Sequence, residues 1–218
     1  MLPYSKDIYF ILHLELHSGW TYWLAASLWL LLSIRLFRGA FNEKNSGISC
    51  ACLSMLWILN GLVWHGSLLA PIHFMGPYYA ALALIQAAVC IGVGVISYRS
   101  PNKSASNATR YANRGKKTAC FCLLTGLAFP LLDVLQGANW PAVRQPFLAT
   151  EPLILVTIAV ASRLKCISLL GIGCFMVVPL AFVGIQAHRA YALGLWGDAV
   201  PISISLVACC IVHRSFIH

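Results

Sequence analysis

The sequence predicts an all-helical integral membrane bundle of about seven transmembrane helices, with its N-terminus outside and its C-terminus in the cytoplasm. Three observations carry this. Apolar residues make up 60% of the chain and charged residues 10%, whereas a soluble domain needs roughly a quarter of its residues charged to face water. Apolar runs of about 20 residues, the length of a helix crossing a bilayer, recur along the whole chain, and the mean hydropathy is +0.79. Lysine and arginine are divided unequally between alternate loops, twelve on one side and three on the other.

Backbone groups in hydrocarbon must find partners within their own segment, so each apolar run reads as a helix. The runs are 19–37, 48–70, 76–98, 118–137, 147–163, 166–186 and 195–212. The fifth is the shortest, and Pro146 and Pro152 flank its start, where proline is tolerated because the first turn lacks intrahelical partners. Before the first run, residues 1–17 read as a short outer interfacial segment, with Ile8, Ile11, Leu12 and Leu16 within helical reach of one another. Pro3, Asp7 and Glu15 stand where a signal peptide would have a basic region and an apolar core, so the first span is expected to be retained. Residues 100–117, rich in Asn, Ser, Lys and Arg, read as a flexible basic cytoplasmic loop. The whole chain, 1–218, is one transmembrane domain.

Orientation follows from the basic residues. Arg35, Arg38, Lys44, Arg99, Lys103, Arg110, Arg114, Lys116, Lys117, Arg163, Lys165 and Arg214 share one side, against Lys6, Arg144 and Arg189 on the other; the first set is cytoplasmic. The net charge of +9 therefore reflects orientation, and nucleic acid is not an expected partner. Dropping the fifth run would put Arg163 and Lys165 outside, which favours odd parity. The sequons at Asn102 and Asn107 fall in the cytoplasmic loop. Trp20, Tyr22, Trp23, Tyr78, Tyr79, Trp140 and Trp196 fall at the outer interface, where aromatic rings anchor helices.

Polar groups gather on the outer half: His13, His17, His65, His73 and His188, with Asp7, Glu15, Asp133, Glu151 and Asp198. Asn60 and His65 in the second run, Asp133 and Gln136 in the fourth and Glu151 at the start of the fifth are the candidate solute or ion pathway. An ionisable group at membrane depth costs about 2.5–3.5 kcal/mol on insertion scales, so such groups face a bundle interior and pair. An Asp133–His65 contact is one expectation; the alternative has Asp133 hydrated near the interface and facing Arg144 or Arg189. Glu151 gains from the positive end of its helix and needs no further role. His13 and His17, four apart on one helical face, have the spacing of a zinc pair, so His13, His17 and His65 form a candidate metal set; two amphipathic side chains at a wet interface explain the pair equally simply.

Cys50, Cys52, Cys120, Cys122, Cys166, Cys209 and Cys210 cluster toward cytoplasmic helix ends, with Cys90 and Cys174 deeper. Clustered thiols suit soft metals, yet residues two apart on a helix point about 200° from each other and do not chelate jointly. They read as small apolar fillers. Gly76, Ala80, Ala83, Ala87, Gly92 and Gly94 along the third run permit close helix approach. A phosphate-binding glycine loop, a His-Glu-x-x-His motif, a nucleophile elbow and a retinal-carrying lysine are all missing, and no catalytic residue or cofactor is assigned.

The opening Met1-Leu2-Pro3-Tyr4 followed by Trp20, the stretch from Trp57 to His65 with Pro71-Ile72, Phe129-Pro130-Leu131-Leu132 through Trp140-Pro141, and Pro152 with Thr157 together resemble a bacterial family of polytopic inner-membrane proteins of unknown function. The resemblance spans most of the chain through short motifs. It implies the membrane fold, the bacterial inner membrane as location and His65 as a typical position. Where that family has a Cys-Pro step, this chain has Glu151-Pro152, so thiol chemistry is not carried over there.

Two functional classes are expected. One is a small-solute or metal-ion permease whose outer vestibule holds His65, Asp133 and Glu151. The other is a non-catalytic structural or assembly subunit of a larger membrane complex. Partners are the lipid bilayer and, for the second class, other membrane subunits.

Overall fold

The structure is a computed structural model that describes residues 5–15, 19–37, 43–99, 108–137, 143–144, 149–164, 169–194, 199, 203–207 and 210. The helices are α1 (Lys6–Glu15), α2 (Trp20–Phe37), α3 (Glu43–Leu59) continued by a π-helical segment (Asn60–Leu69), α4 (Gly76–Arg99), α5 (Ala108–Leu127), α6 (Phe129–Leu135), α7 (Thr150–Ala161) and α8 (Leu169–Leu193). Among the described residues there is no strand.

Among the described residues, five stretches are long and apolar enough to cross a membrane: Trp20–Phe37, Ser46–Leu69, Gly76–Arg99, Lys116–Leu135 and Gly171–Leu193. They correspond to the first four expected spans and the sixth. Ile85, Ile91, Phe121, Leu124, Leu131, Leu135 and Val177 are each more than half exposed on these stretches. In water that surface would invite association; against lipid tails it carries no such penalty. The seventh expected span, 195–212, lies mostly outside the described residues, of which 203–207 are helical.

The fifth expected span is where the structure departs from the hydropathy reading. α7 has 12 residues, about 18 Å of helix against a hydrocarbon core of about 30 Å. Every residue from Thr150 to Ala161 is buried, packed against α3, α5 and α8. A helix apolar all round belongs in an interior, and hydropathy does not distinguish burial in lipid from burial in protein. Ala149 enters with an extended backbone, φ −70° and ψ 145°, and Pro152 falls in the first turn, where its missing N–H costs nothing.

α5 begins at Ala108, inside the segment expected as a loop, because a helix already nucleated in the bilayer extends outward at little cost. It breaks at Ala128 and resumes as α6, with proline in the first turn; the ring of Pro130 would otherwise meet the carbonyl of Gly126.

α3 and α4 pack through small residues. A Cβ added to Gly94 would lie 3.0 Å from that of Cys50, and one added to Gly61 would lie 3.2 Å from the Ala80 carbonyl and from the Ala83 Cβ. Ser54 donates to the Ala87 carbonyl at 2.9 Å across the same seam. Of the expected packing stripe, Gly92 faces open space. Cys50, Cys52, Cys90 and Cys122 are buried and Cys174 and Cys210 exposed.

Candidate functional site

The π-helical segment is the local feature that builds the site. Its turns close by i→i+5 bonds, as in the 3.0 Å bond from the Ala70 N–H to the His65 carbonyl, so residues five apart come over one another. On a regular α-helix they would diverge by about 140°. Asn60 and His65 accordingly reach one hydroxyl: Asn60 Nδ2 donates to Thr150 Oγ1 at 3.2 Å, and His65 Nε2 lies 3.1 Å from the same oxygen. Thr150 is the first residue of α7, so the π segment and the buried helix are fastened at that point. Below it, Trp57 Nε1 donates to Thr157 Oγ1 at 3.0 Å, about two α7 turns from Thr150.

Glu151, the next residue, gathers three partners on one oxygen. Tyr9 of α1 donates its hydroxyl to Oε1 at 2.8 Å, Arg144 Nη1 lies at 3.5 Å, and Arg189 of α8 forms an ion pair with it. The Arg189 guanidinium also sits over the Tyr9 ring, 4.7 Å from its centroid. Arg144 turns its other face to Asp133 of α6: its Nε donates to Oδ1 at 2.8 Å, its Nη2 pairs with the same oxygen, and the Arg144 backbone N–H donates to Oδ2 at 2.5 Å. Asp133 and Arg144 are wholly buried. Two carboxylates and two guanidiniums thus form one chain, Asp133–Arg144–Glu151–Arg189, balanced in formal charge. Burying either sign alone is strongly unfavourable, and pairing with the opposite sign offsets part of the cost.

The expected Asp133–His65 contact is therefore corrected. Arg144, eleven residues along the chain, takes the carboxylate of Asp133, while His65 turns to Thr150 and stacks on Phe182, centroids 5.5 Å apart at 19°. A guanidinium supplies both charge and a planar donor fork, which an imidazole cannot match. Glu151 is more than a helix-start residue, being the hub of the charge chain. Gln136 closes α6 half-buried, its backbone N–H bonded to the Leu132 and Asp133 carbonyls, away from the cleft described below.

α1 presents Tyr9, Leu12 and His13 inward and leaves Ile8, Ile11 and Leu14 exposed. The expected apolar face of Ile8, Ile11 and Leu12 is thus split, because the bundle offers Tyr9 and His13 better partners; Leu16 lies outside the described residues. His13 stacks on Trp64 at 4.2 Å and 21°, and Tyr9 meets His13 edge-on at 4.8 Å. His17 also lies outside the described residues. Among the described residues no three of His, Cys, Asp and Glu are placed to hold a metal ion, and His13 and His65 each turn to a different aromatic neighbour.

Between the π segment, α4, α7 and α8 lies a cleft of about 390 Å³, counted to its open mouth, lined by His65, Leu69, His73, Tyr79, Thr150, Phe182, Ile185, Gln186, His188 and Arg189. Most of that space is the open mouth, and the enclosed part has room for about one water molecule. His65, Gln186 and Arg189 are buried, and each has a nitrogen without a hydrogen-bond partner among the described residues: His65 Nδ1, Gln186 Nε2 and Arg189 Nε. Tyr79, expected as an interface anchor, instead faces His65, centroids 5.6 Å apart, whereas Trp20, Trp23 and Tyr78 are exposed as anchors should be. Trp140 and Trp196 lie outside the described residues.

At the mouth, His73 sits in the turn between the π segment and α4, where its Nδ1 accepts the Met75 N–H at 3.0 Å. Burial lowers its pKa from the ordinary value. The residues that sequence reasoning left out are Tyr9, Thr150, Phe182 and Gln186. Arg144 and Arg189 did carry a signal, as two of the three basic residues on the wrong side of the charge partition. Their buried carboxylate partners remove the reason to exclude them.

Among the described residues, fold and site together define an all-helical arrangement with five membrane-length helices and a buried, charge-balanced cluster beside a small aromatic cleft. No family model, no curated protein and no solved structure matches the chain.

Proposed function

We propose that the chain is a bacterial inner-membrane permease that takes a small polar solute at the cleft between the π segment and α8. The observation that carries this is the lining: three buried polar side chains, His65, Gln186 and Arg189, converge on one space with hydrogen-bonding capacity to spare. Buried polar groups without partners are costly, and a ligand that satisfies them recovers the cost. A π segment at the site agrees, since such segments recur where side chains must be re-aimed for function. The solute form of the reading is preferred to the metal-ion form because Asp133 and Glu151 are already engaged by arginines.

A seven-span topology, outside to inside, accompanies this reading. Twelve basic residues against three support it, and α7 crosses in the shelter of its neighbours without needing the length of a lipid-facing helix. Fusions of a reporter that is active only in the cytoplasm test it: activity at His218 and after Arg99, and none after Met75, is the expected pattern.

The alternative of an assembly subunit draws on one observation, that the charge chain is closed on itself and spans α1, α6, α7 and α8 as a structural clasp would. Purification in mild detergent separates the two. Thermal stabilisation by a small solute, lost in Gln186→Leu, supports the permease; a stoichiometric membrane partner with no stabilisation by any solute supports the subunit.

A further inference from the structure

We infer that the helical extension of α5 beyond the bilayer binds the phosphodiester of an anionic phospholipid, with Arg110, Arg114 and Lys117 as its basic stripe. This goes beyond the permease reading and does not depend on it, since a subunit of a membrane complex would carry the same surface.

α5 runs unbroken from Ala108 to Leu127, whereas its membrane-length stretch begins only at Lys116. The residues before Lys116 therefore continue as helix outside that stretch, for about 12 Å. Helical register decides which way this extension faces. Successive steps of four, three, four and three bring positions 110, 114, 117, 121 and 124 within about 40° of one line along the helix. On that line Phe121 and Leu124 are 53% and 59% exposed, and Lys117 is exposed as well. On the opposite side Ala119, Cys122 and Leu123 are buried. The basic positions thus continue the lipid-facing side of α5 outward. Lys117 stands at the edge of the membrane-length stretch, with Arg114 and Arg110 about 4.5 and 10.5 Å further out. The stripe crosses a headgroup layer about 5–7 Å deep and ends just beyond it.

Charge points the same way. No acidic residue occurs from Lys44 to Leu132, and Asp133, at the far end of the same stretch, is paired with Arg144. The countercharge of the stripe therefore comes from outside this part of the chain. Each Lys or Arg close to an anionic leaflet raises binding by about fivefold. Orientation across the membrane requires only that basic residues lie in the right loop, on any side of a helix. Alignment with the lipid-facing side is the added feature that a headgroup contact needs.

Native mass spectrometry of the full chain, released from micelles doped equally with phosphatidylglycerol and phosphatidylcholine, counts the lipid retained. Phosphatidylglycerol is expected to stay bound at least about tenfold more often than phosphatidylcholine. Arg110→Gln, Arg114→Gln and Lys117→Gln together should reduce that preference to about twofold or less, glutamine being as good a helix former as arginine or lysine. Lys44→Gln, Lys103→Gln and Lys116→Gln together remove the same charge away from the stripe, and should leave the preference within about twofold of that of the unmodified chain. Equal retention of the two lipids by the unmodified chain, or equal loss in the two triple variants, would overturn the proposal. Displacement of the retained lipid by soluble glycerol phosphate would also overturn it, by assigning the stripe to a soluble phosphate.

Discussion

The hydroxyl of Tyr9 donates to Glu151 at 2.8 Å, joining residues 142 positions apart, and it is this bond that ties the first helix to the centre of the bundle. The same ring carries the Arg189 guanidinium on its face, so Tyr9 holds both members of an ion pair. Tyr9→Phe keeps the ring and removes the bond. A hydrogen bond to a charged group contributes about 1.5–3 kcal/mol, and a stability loss of that size is expected in chemical unfolding from micelles, with faster proteolysis within α1. Ile11→Ala, on the exposed face of the same helix, should change stability by less than about 0.5 kcal/mol. Equal effects from the two would refute the clasp.

Asp133 and Arg144 are both without solvent exposure, and removing one partner leaves the other charge buried. Asp133→Asn should cost about 3–5 kcal/mol. Adding Arg144→Gln removes the stranded cation from Asp133 although it also takes one approach from Glu151, so the double variant is expected to lose less than the sum of the two singles. A strictly additive double-mutant cycle would show that the pair is not coupled.

Two glycines of α4 make opposite predictions from the same substitution. A methyl on Gly76 would lie 2.5 Å from the Ala70 Cα, whereas one on Gly92 meets nothing within 4 Å. Gly76→Ala forces the turn before α4 to open and should destabilise by about 1–3 kcal/mol. Gly92→Ala restricts the unfolded chain without a clash and should stabilise by roughly 0.5–1 kcal/mol. Thermal unfolding of the two variants side by side reads the contrast directly.

His73 supplies a pH dependence. Its pKa is lowered in the fold by burial, so the unfolded chain takes up the proton first as pH falls. The stability due to neutral His73 is full above the ordinary histidine value of about 6.5 and is lost as pH drops below it toward the folded pKa. Protonation also removes the acceptor for the Met75 N–H. His73→Asn, which keeps an acceptor and does not titrate, should flatten the stability profile between pH 7 and pH 5; an unchanged slope would assign the dependence elsewhere.

Much of the architecture was legible beforehand for a simple reason: a lipid solvent leaves its mark on every exposed residue. Hydropathy placed the first four expected spans within two residues of the membrane-length stretches, whereas the sixth, 166–186, is offset by five and seven residues from Gly171–Leu193. For α7 it does not say whether lipid or protein sheathes the helix, since both leave it equally apolar. For the site, Asn60, His65, Asp133 and Glu151 stood out as polar groups in apolar runs, and all four prove to be buried. The sequence left Asp133 between His65 and an arginine, of which Arg144 proves to be the partner, because depth along a span says nothing about rotation around it.

The π segment shows why. Five residues separate Asn60 from His65, and regular helical spacing would send them to different faces; only the wide turn brings both to Thr150. Tyr9 likewise carried no signal in the sequence, its partner Glu151 lying 142 positions away.

What the sequence determined by itself is the solvent of the fold and the residues that lipid could not accept, because transfer free energies act residue by residue and leave a local trace. The tertiary structure decided which of those residues meet: arginine rather than histidine beside Asp133, and His65 on Thr150 in the wall of a cleft. Pairing depends on helix rotation, on the length of a buried helix and on one irregular turn, and each of these is a property of packing rather than of any single segment.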